Sequence, residues 1–194
     1  MVADDPIVNL TAAQCCMAAG DLQSAYSMVA DCQKPEAWAC KIQILLAWHR
    51  VDLAQAELRR FQNTHEDSVI AELCSVYVQL AQGVSGGASA EHTLQALSEQ
   101  YGPSVPLLNL AAAAHAVQGD WAAAETKLQQ AQADFTETET ATAINSIAVA
   151  AHLNKPYSMA TVDRTTDAGL EYVAAFERVE GAFDREAAKY KVAA

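Results

Sequence analysis

No run of about eighteen apolar residues occurs in this sequence, and its start lacks a basic stretch leading into an apolar segment and a small-residue cleavage site. Neither a membrane-spanning helix nor a secretory leader is therefore read from it. Basic residues are scarce, 12 lysines and arginines against 24 aspartates and glutamates. The field around such a chain repels phosphate backbones and anionic headgroups, which argues against nucleic acid and against direct membrane insertion. The nearest basic groupings are Arg59-Arg60 with Lys41 and Arg50, and Arg185, Lys189 and Lys191 interleaved with Glu186; they read as solvated helix faces with ordinary ion pairs. The five cysteines (Cys15, Cys16, Cys32, Cys40, Cys74) are odd in number and show no C-x-x-C spacing. Neither a disulfide framework nor a zinc site is expected, and apolar helix faces in a reducing cytoplasm account for them. Glycine (8) and proline (5) are few and clustered while alanine abounds, which predicts an all-α chain of closely packed helices.

Catalytic signals are missing too. The histidines (His49, His65, His92, His115, His152) share no ligand spacing with a cysteine or carboxylate, and His65-Glu66-Asp67 lacks the second histidine of a helical zinc motif. The glycine-rich stretch Gly83-Val-Ser-Gly-Gly-Ala-Ser89 has no lysine and hydroxyl pair for a nucleotide phosphate and reads as an elongated interhelical turn. No serine or cysteine sits in a nucleophile elbow. The sequence predicts no enzyme, no cofactor and no metal.

What is present is a repeat. Gly119-Asp-Trp-Ala-Ala-Ala124-Glu-Thr-Lys-Leu128-Gln-Gln-Ala131 follows the second-helix pattern of a tetratricopeptide repeat, and Gly20-Asp-Leu-Gln-Ser-Ala25 repeats its opening. Degenerate copies lie at His49-Arg-Val-Asp-Leu-Ala54 and Ala90-Glu-His-Thr-Leu94. The aligned alanines Ala25, Ala54, Ala90 and Ala124 are 29, 36 and 34 residues apart, bracketing the period of about 34 typical of this repeat. One α-solenoid domain over 1–194 is expected, with repeats at about 5–37, 38–66, 68–103, 105–136 and 139–169, in a right-handed superhelix of about eleven helices. Lys34-Pro35-Glu36, the acidic Thr136–Glu139 stretch and Lys155-Pro156 are read as helix starts. A capping helix over 170–190 is predicted from Leu170, Val173, Phe176, Phe183, Ala187 and Tyr190 recurring on one face. At the start no such cap is visible, so further repeats or a partner are expected to cover that end.

Repeats of this type work by holding other proteins. Aligning first helices on the turn that follows each puts Gln14, Gln43, Tyr77 and Asn109 at one equivalent set of inner positions or one turn away, with Asn145 close by. Asparagine is a poor helix-interior residue, so Asn109 and Asn145 call for either a local backbone bond or an amide that grasps a partner's main chain. Tyr77 is the best anchor by residue type, and Glu57, Glu125 and Gln129 fall on the outer face.

The stretch Ile42-Gln-Ile-Leu-Leu-Ala-Trp-His-Arg50-Val-Asp-Leu-Ala-Gln-Ala-Glu-Leu-Arg-Arg-Phe-Gln62, then His65-Glu-Asp-Ser68, resembles part of the epsilon subunit of coatomer, the COPI coat. So do Leu107-Leu-Asn-Leu-Ala through Glu125, Glu171-Tyr-Val and Phe183-Asp-Arg185, in the same order from about residue 40 to the end; over 1–35 the repeat pattern stands alone. The family's usual chain carries additional N-terminal repeats. The resemblance implies a cytoplasmic subunit recruited to Golgi membranes in retrograde and intra-Golgi vesicle transport. It also implies a partner, the C-terminal region of the coatomer alpha subunit, around which the superhelix closes, with other coatomer subunits met indirectly. The competing reading is a tetratricopeptide adaptor or co-chaperone for short peptide tails. A clamp for acidic tails needs several inward basic residues, which this chain does not offer on its first helices.

Overall fold

A computed structural model describes residues 5–135 and 140–190. Every regular element among the described residues is a helix, with no strand, and the chain divides into two compact units, one up to Leu97 and one from Ser98.

The first unit holds α1 (Pro6–Ala18), α2 (Leu22–Val29), α3 (Pro35–Ala47), α4 (Val51–Thr64), α5 (Val69–Ala81) and α6 (Val84–Tyr101), whose last turn reaches the second unit. Local chemistry explains where these begin. Pro6 and Pro35 occupy first-turn positions that need no amide donor. Asp5, Asp21 and Ser68 each accept a hydrogen bond from an otherwise orphaned first-turn amide. Each of α1 and α3 packs on the next helix, and α2 and α4 pack on the first helix of the following hairpin. That is the neighbour-on-neighbour burial of a helical repeat.

The second unit contains α7 (Val105–Val117), α8 (Trp121–Asp134), α9 (Thr140–His152), a single 3-10 turn (Met159–Thr161) and α10 (Asp167–Ala187). Its helices α7, α8 and α9 pack mutually around Ala112, Ala124, Leu128 and Val149, and α10 lies on α9. The Thr136–Glu139 helix start predicted from sequence falls outside the described residues.

One stop signal recurs through the chain. Each first helix ends in a left-handed residue, at Gly20, His49, Gly83, Gly119 and Asn154. The next amide then reaches back to the helix: Asp21 to the Cys16 carbonyl, Arg50 to Leu45, Asp120 to His115 and Lys155 to Ala150, at 2.8–3.0 Å. These bonds satisfy carbonyls that the helix end leaves open, and glycine, asparagine and histidine are the residues that tolerate the conformation. The four aligned alanines, Ala25, Ala54, Ala90 and Ala124, all have no exposed surface.

Three expectations are corrected. The stretch from Gly83 to Ser89 is no elongated turn, because α6 begins at Val84 and runs through Gly86 and Gly87, both buried. A Cβ at Gly86 would lie within 2.7 Å of the Gln79 carbonyl carbon and collide with its oxygen, so the glycine is set by close approach of α6 to the α5 backbone. Gly86→Val is expected to destabilise the protein by about 2 kcal/mol, overpacking against backbone that cannot rotate away. Urea denaturation measures it, and unchanged stability would mean that α6 stands off from α5.

The second correction is at Lys155-Pro156, which starts no helix: 155–158 is extended and only the short 3-10 turn follows. The fifth hairpin thus lacks a second α-helix of the usual kind. Third, α10 starts at Asp167 rather than at residue 170, with Thr166 accepting from the Gly169 amide at 3.2 Å. Gly169 and Val173 are buried, yet Leu170, Phe183 and Tyr190 are 53–78% exposed, so of the predicted apolar row only Val173 is buried.

Candidate interaction surface

The titratable groups argue against chemistry at a reactive centre. Burial pushes the Cys74 thiol up to about 11 and raises Cys40 as well, which keeps both as protonated core residues. Among the described residues no three His, Cys, Asp or Glu side chains converge as a metal site. None of their helices is long and apolar enough to cross a membrane.

The basic grouping around Lys41 does not form a surface patch. Lys41 is 2% exposed; its ammonium donates to the Cys32 carbonyl at 2.9 Å and sits 4.5 Å over the Trp38 ring. Desolvation lowers its pKa, opposed by the field of Glu57. Arg50 is paired with Asp52 and Arg60 with Glu57, both on the surface.

Three of the five sequence candidates share one register. Gln14, Gln43 and Tyr77 each stand six residues ahead of the left-handed residue that closes their helix, Gly20, His49 and Gly83. All three are exposed, Tyr77 at 43%. Because α1, α3 and α5 pack side by side, equal register makes these residues a row across three adjacent first helices, with amide, amide and phenol facing solvent.

Asn109 and Asn145 are brought together, with Asn109 buried and Asn145 half-buried beside it. Asn109 is 7% exposed, and its amide donates to the Val105 carbonyl at 3.1 Å and to the Thr142 hydroxyl at 2.8 Å. Asn145 in turn donates to the Asn109 carbonyl oxygen at 3.1 Å. Thr142 is completely buried. The local backbone bond, one of the two readings of a mid-helix asparagine, is thus present at Asn109, and the rest of its amide joins α7 to α9. Sequence reasoning missed Thr142, whose only signal was a hydroxyl one turn before Asn145 on the same helix.

A chain of antiparallel helical hairpins with a recurring register and buried small residues in its helix-packed core is a tetratricopeptide-like repeat protein. Its fold is similar to that of a tetratricopeptide repeat protein from Parabacteroides merdae, with a TM-score of 0.70 at 13% identity over 78% of this chain and 60% of that one. MamA from Desulfovibrio magneticus is also similar, with a TM-score of 0.54 at 14% identity over 79% of this chain and 94% of that one. The family model described as the coatomer epsilon subunit matches residues 1–191, and the chain belongs to that family. The match takes in residues 1–35, where the repeat pattern had been the sole guide. Coatomer subunit epsilon-2 of Oryza sativa subsp. indica is 32% identical over 108 residues, 56% of this chain and 36% of the relative. Coatomer subunit epsilon-1 of Arabidopsis thaliana is 32% identical over 121 residues, 62% of this chain and 41% of the relative. The matched region is therefore about two-fifths of each relative's length. The coatomer epsilon subunit is a structural coat component and not an enzyme, which the tetratricopeptide-like fold fits.

Proposed function

We propose that this protein is a non-catalytic structural subunit of the COPI coat that binds and stabilises the C-terminal region of the alpha subunit. It acts at the cytoplasmic face of Golgi membranes in Golgi-to-ER and intra-Golgi vesicle transport, and it reaches the other coatomer subunits through alpha. The family match over 1–191 carries this reading. The row of Gln14, Gln43 and Tyr77 supports it by offering adaptable amides and one amphipathic aromatic on adjacent first helices. Asn109 and Asn145 contribute indirectly, by fixing the α7–α9 joint.

Calorimetry with the isolated alpha C-terminal region tests the proposal. Tyr77→Ala is expected to weaken binding by about 2 kcal/mol, as for an aromatic anchor with little side-chain entropy to lose. Glu125→Ala, on a second helix and paired with Lys155 at 2.6 Å, is expected to change affinity by less than about 0.5 kcal/mol. The opposite ranking would move the partner to the second-helix side, and no binding by the wild type would remove alpha as the partner.

A further inference from the structure

The absent second helix of the fifth hairpin leaves a cleft in the second unit. Its volume is about 590 Å³, inside the range of about 300–1,000 Å³ usual for ligand sites. One wall is a stripe of α8 at Glu125, Leu128, Gln129 and Gln132; the opposite wall is a stripe of α9 at Ala143, Ser146, Ile147 and Ala150. Both stripes have the three- and four-residue spacing of a single helix face. The extended segment carrying Pro156, Tyr157 and Ser158 closes the third side. In the four earlier hairpins a second α-helix follows the left-handed turn at once, whereas Pro156 comes two residues after Asn154 and no α-helix follows it there.

We propose that this cleft binds an extended, uncharged peptide segment of a partner protein, a site separate from the first-helix row of the first unit. The lining chemistry selects that occupant. Among the described lining residues Glu125 alone carries a charge, and the Lys155 ammonium meets both of its carboxylate oxygens at 2.6 Å. Among the described lining residues a charged segment would find no free counter-charge and would lose hydration. The walls instead present neutral donors and acceptors: Gln129 and Gln132 on α8, Ser146 on α9 and Ser158 on the extended side. Gln132 already reaches Ser146 across the cleft at 3.3 Å, a long bond that an incoming carbonyl or amide can replace. A helical ligand satisfies its own backbone and has no use for such groups, whereas an extended chain exposes donors and acceptors that require them. The apolar floor at Leu128 and Ile147 suits small aliphatic side chains alternating with the main-chain bonds, and it disfavours a sugar, whose faces carry hydroxyls.

The test is a random dodecapeptide display library, selected on the full chain and counter-selected on Ala143→Trp, in which an indole fills the cleft from the α9 wall. Selection is expected to yield uncharged sequences with aliphatic residues at alternate positions. A synthetic selected peptide should bind at least tenfold more weakly to Ala143→Trp and severalfold more weakly to Ser146→Ala. N-methylating its alternate amides should cost at least tenfold, because main-chain donors are lost while side chains stay. Melting of each variant checks its fold, and should Ala143→Trp be unfolded, the doubly substituted Gln129→Ala/Ser146→Ala protein takes over the counter-selection. The proposal is overturned if nothing is enriched over the counter-selected variant. It is equally overturned if the winners are charged or helically patterned, or if the N-methylated peptide binds as well as its parent. Tyr77→Ala should leave this binding unchanged, so loss of alpha binding and loss of cleft binding are read separately.

Discussion

Phe61→Ala is expected to lower stability by about 3–5 kcal/mol, the range for deleting a fully buried aromatic. Phe61 has no exposed surface, and its ring stacks on Trp38 with centroids 5.9 Å apart and planes 6° from parallel, while the His65 ring meets it edge-on at 5.5 Å. Around this stack sit Ile42 and Leu45 of α3, Leu58 of α4, and Cys74 and Val78 of α5. Losing the ring therefore opens a hole shared by three helices. The hole cannot close easily, because Trp38 is large, rigid and already held on its other side by Lys41. Urea denaturation followed by helical circular dichroism is the measurement. A loss below about 1 kcal/mol would mean that α3, α4 and α5 collapse into the space, contrary to a close-packed core.

Ala124→Asp should destabilise by about 2–4 kcal/mol, for two additive reasons. Ala124 has no exposed surface and packs with Ala112 of α7, Leu128 of α8 and Val149 of α9, so a larger side chain forces these helices apart. The new carboxylate would also be buried among apolar residues without a partner, which raises its folded-state pKa above that of the unfolded chain. The sign of the pH dependence follows. The unfolded state ionises more readily, so the deficit is full at neutral pH and shrinks as pH falls through the carboxylate range. Denaturation at pH 7 and pH 5 checks both parts. A loss under about 0.5 kcal/mol at pH 7 would place residue 124 outside the α7–α8–α9 junction.

The junction itself was legible because close helix crossings leave few choices of residue. Ala25, Ala54, Ala90 and Ala124 repeat at a near-constant interval, and each proves to have no exposed surface. Gly20 and Gly119 likewise announced their turns, while His49 and Asn154 adopt the same left-handed geometry with weaker signals. What could not be read were places where tertiary contact overrides local preference. Gly86 and Gly87 look like a loop by propensity, yet both sit in a helix, and at Gly86 the neighbouring α5 backbone leaves no room for a side chain. Pro156 looks like a helix start, but helix formation also needs a face to bury, and only a single 3-10 turn follows it before α10. Of the interaction candidates, the exposed register of Gln14, Gln43 and Tyr77 was visible from turn alignment. The inward placement of Asn109 depended on Thr142, 33 residues further along the chain.

That distant pair has a consequence for how α7 finds its place. Ala112 and Ala116 of α7 pack in one cluster with Val149 of α9 and the neighbouring Leu153, and such apolar contacts carry little directional information against a slide by one helical turn. Shape alone would leave several alignments close in energy. The linked side chains of Asn109, Thr142 and Asn145 remove this degeneracy, because a slide by one turn would strand the buried Asn109 carboxamide and Thr142 hydroxyl away from water, at about 1–3 kcal/mol for each orphaned group. The three residues act as a key that only one alignment accepts, and it is the mismatched alignments, more than the native one, whose energies they set.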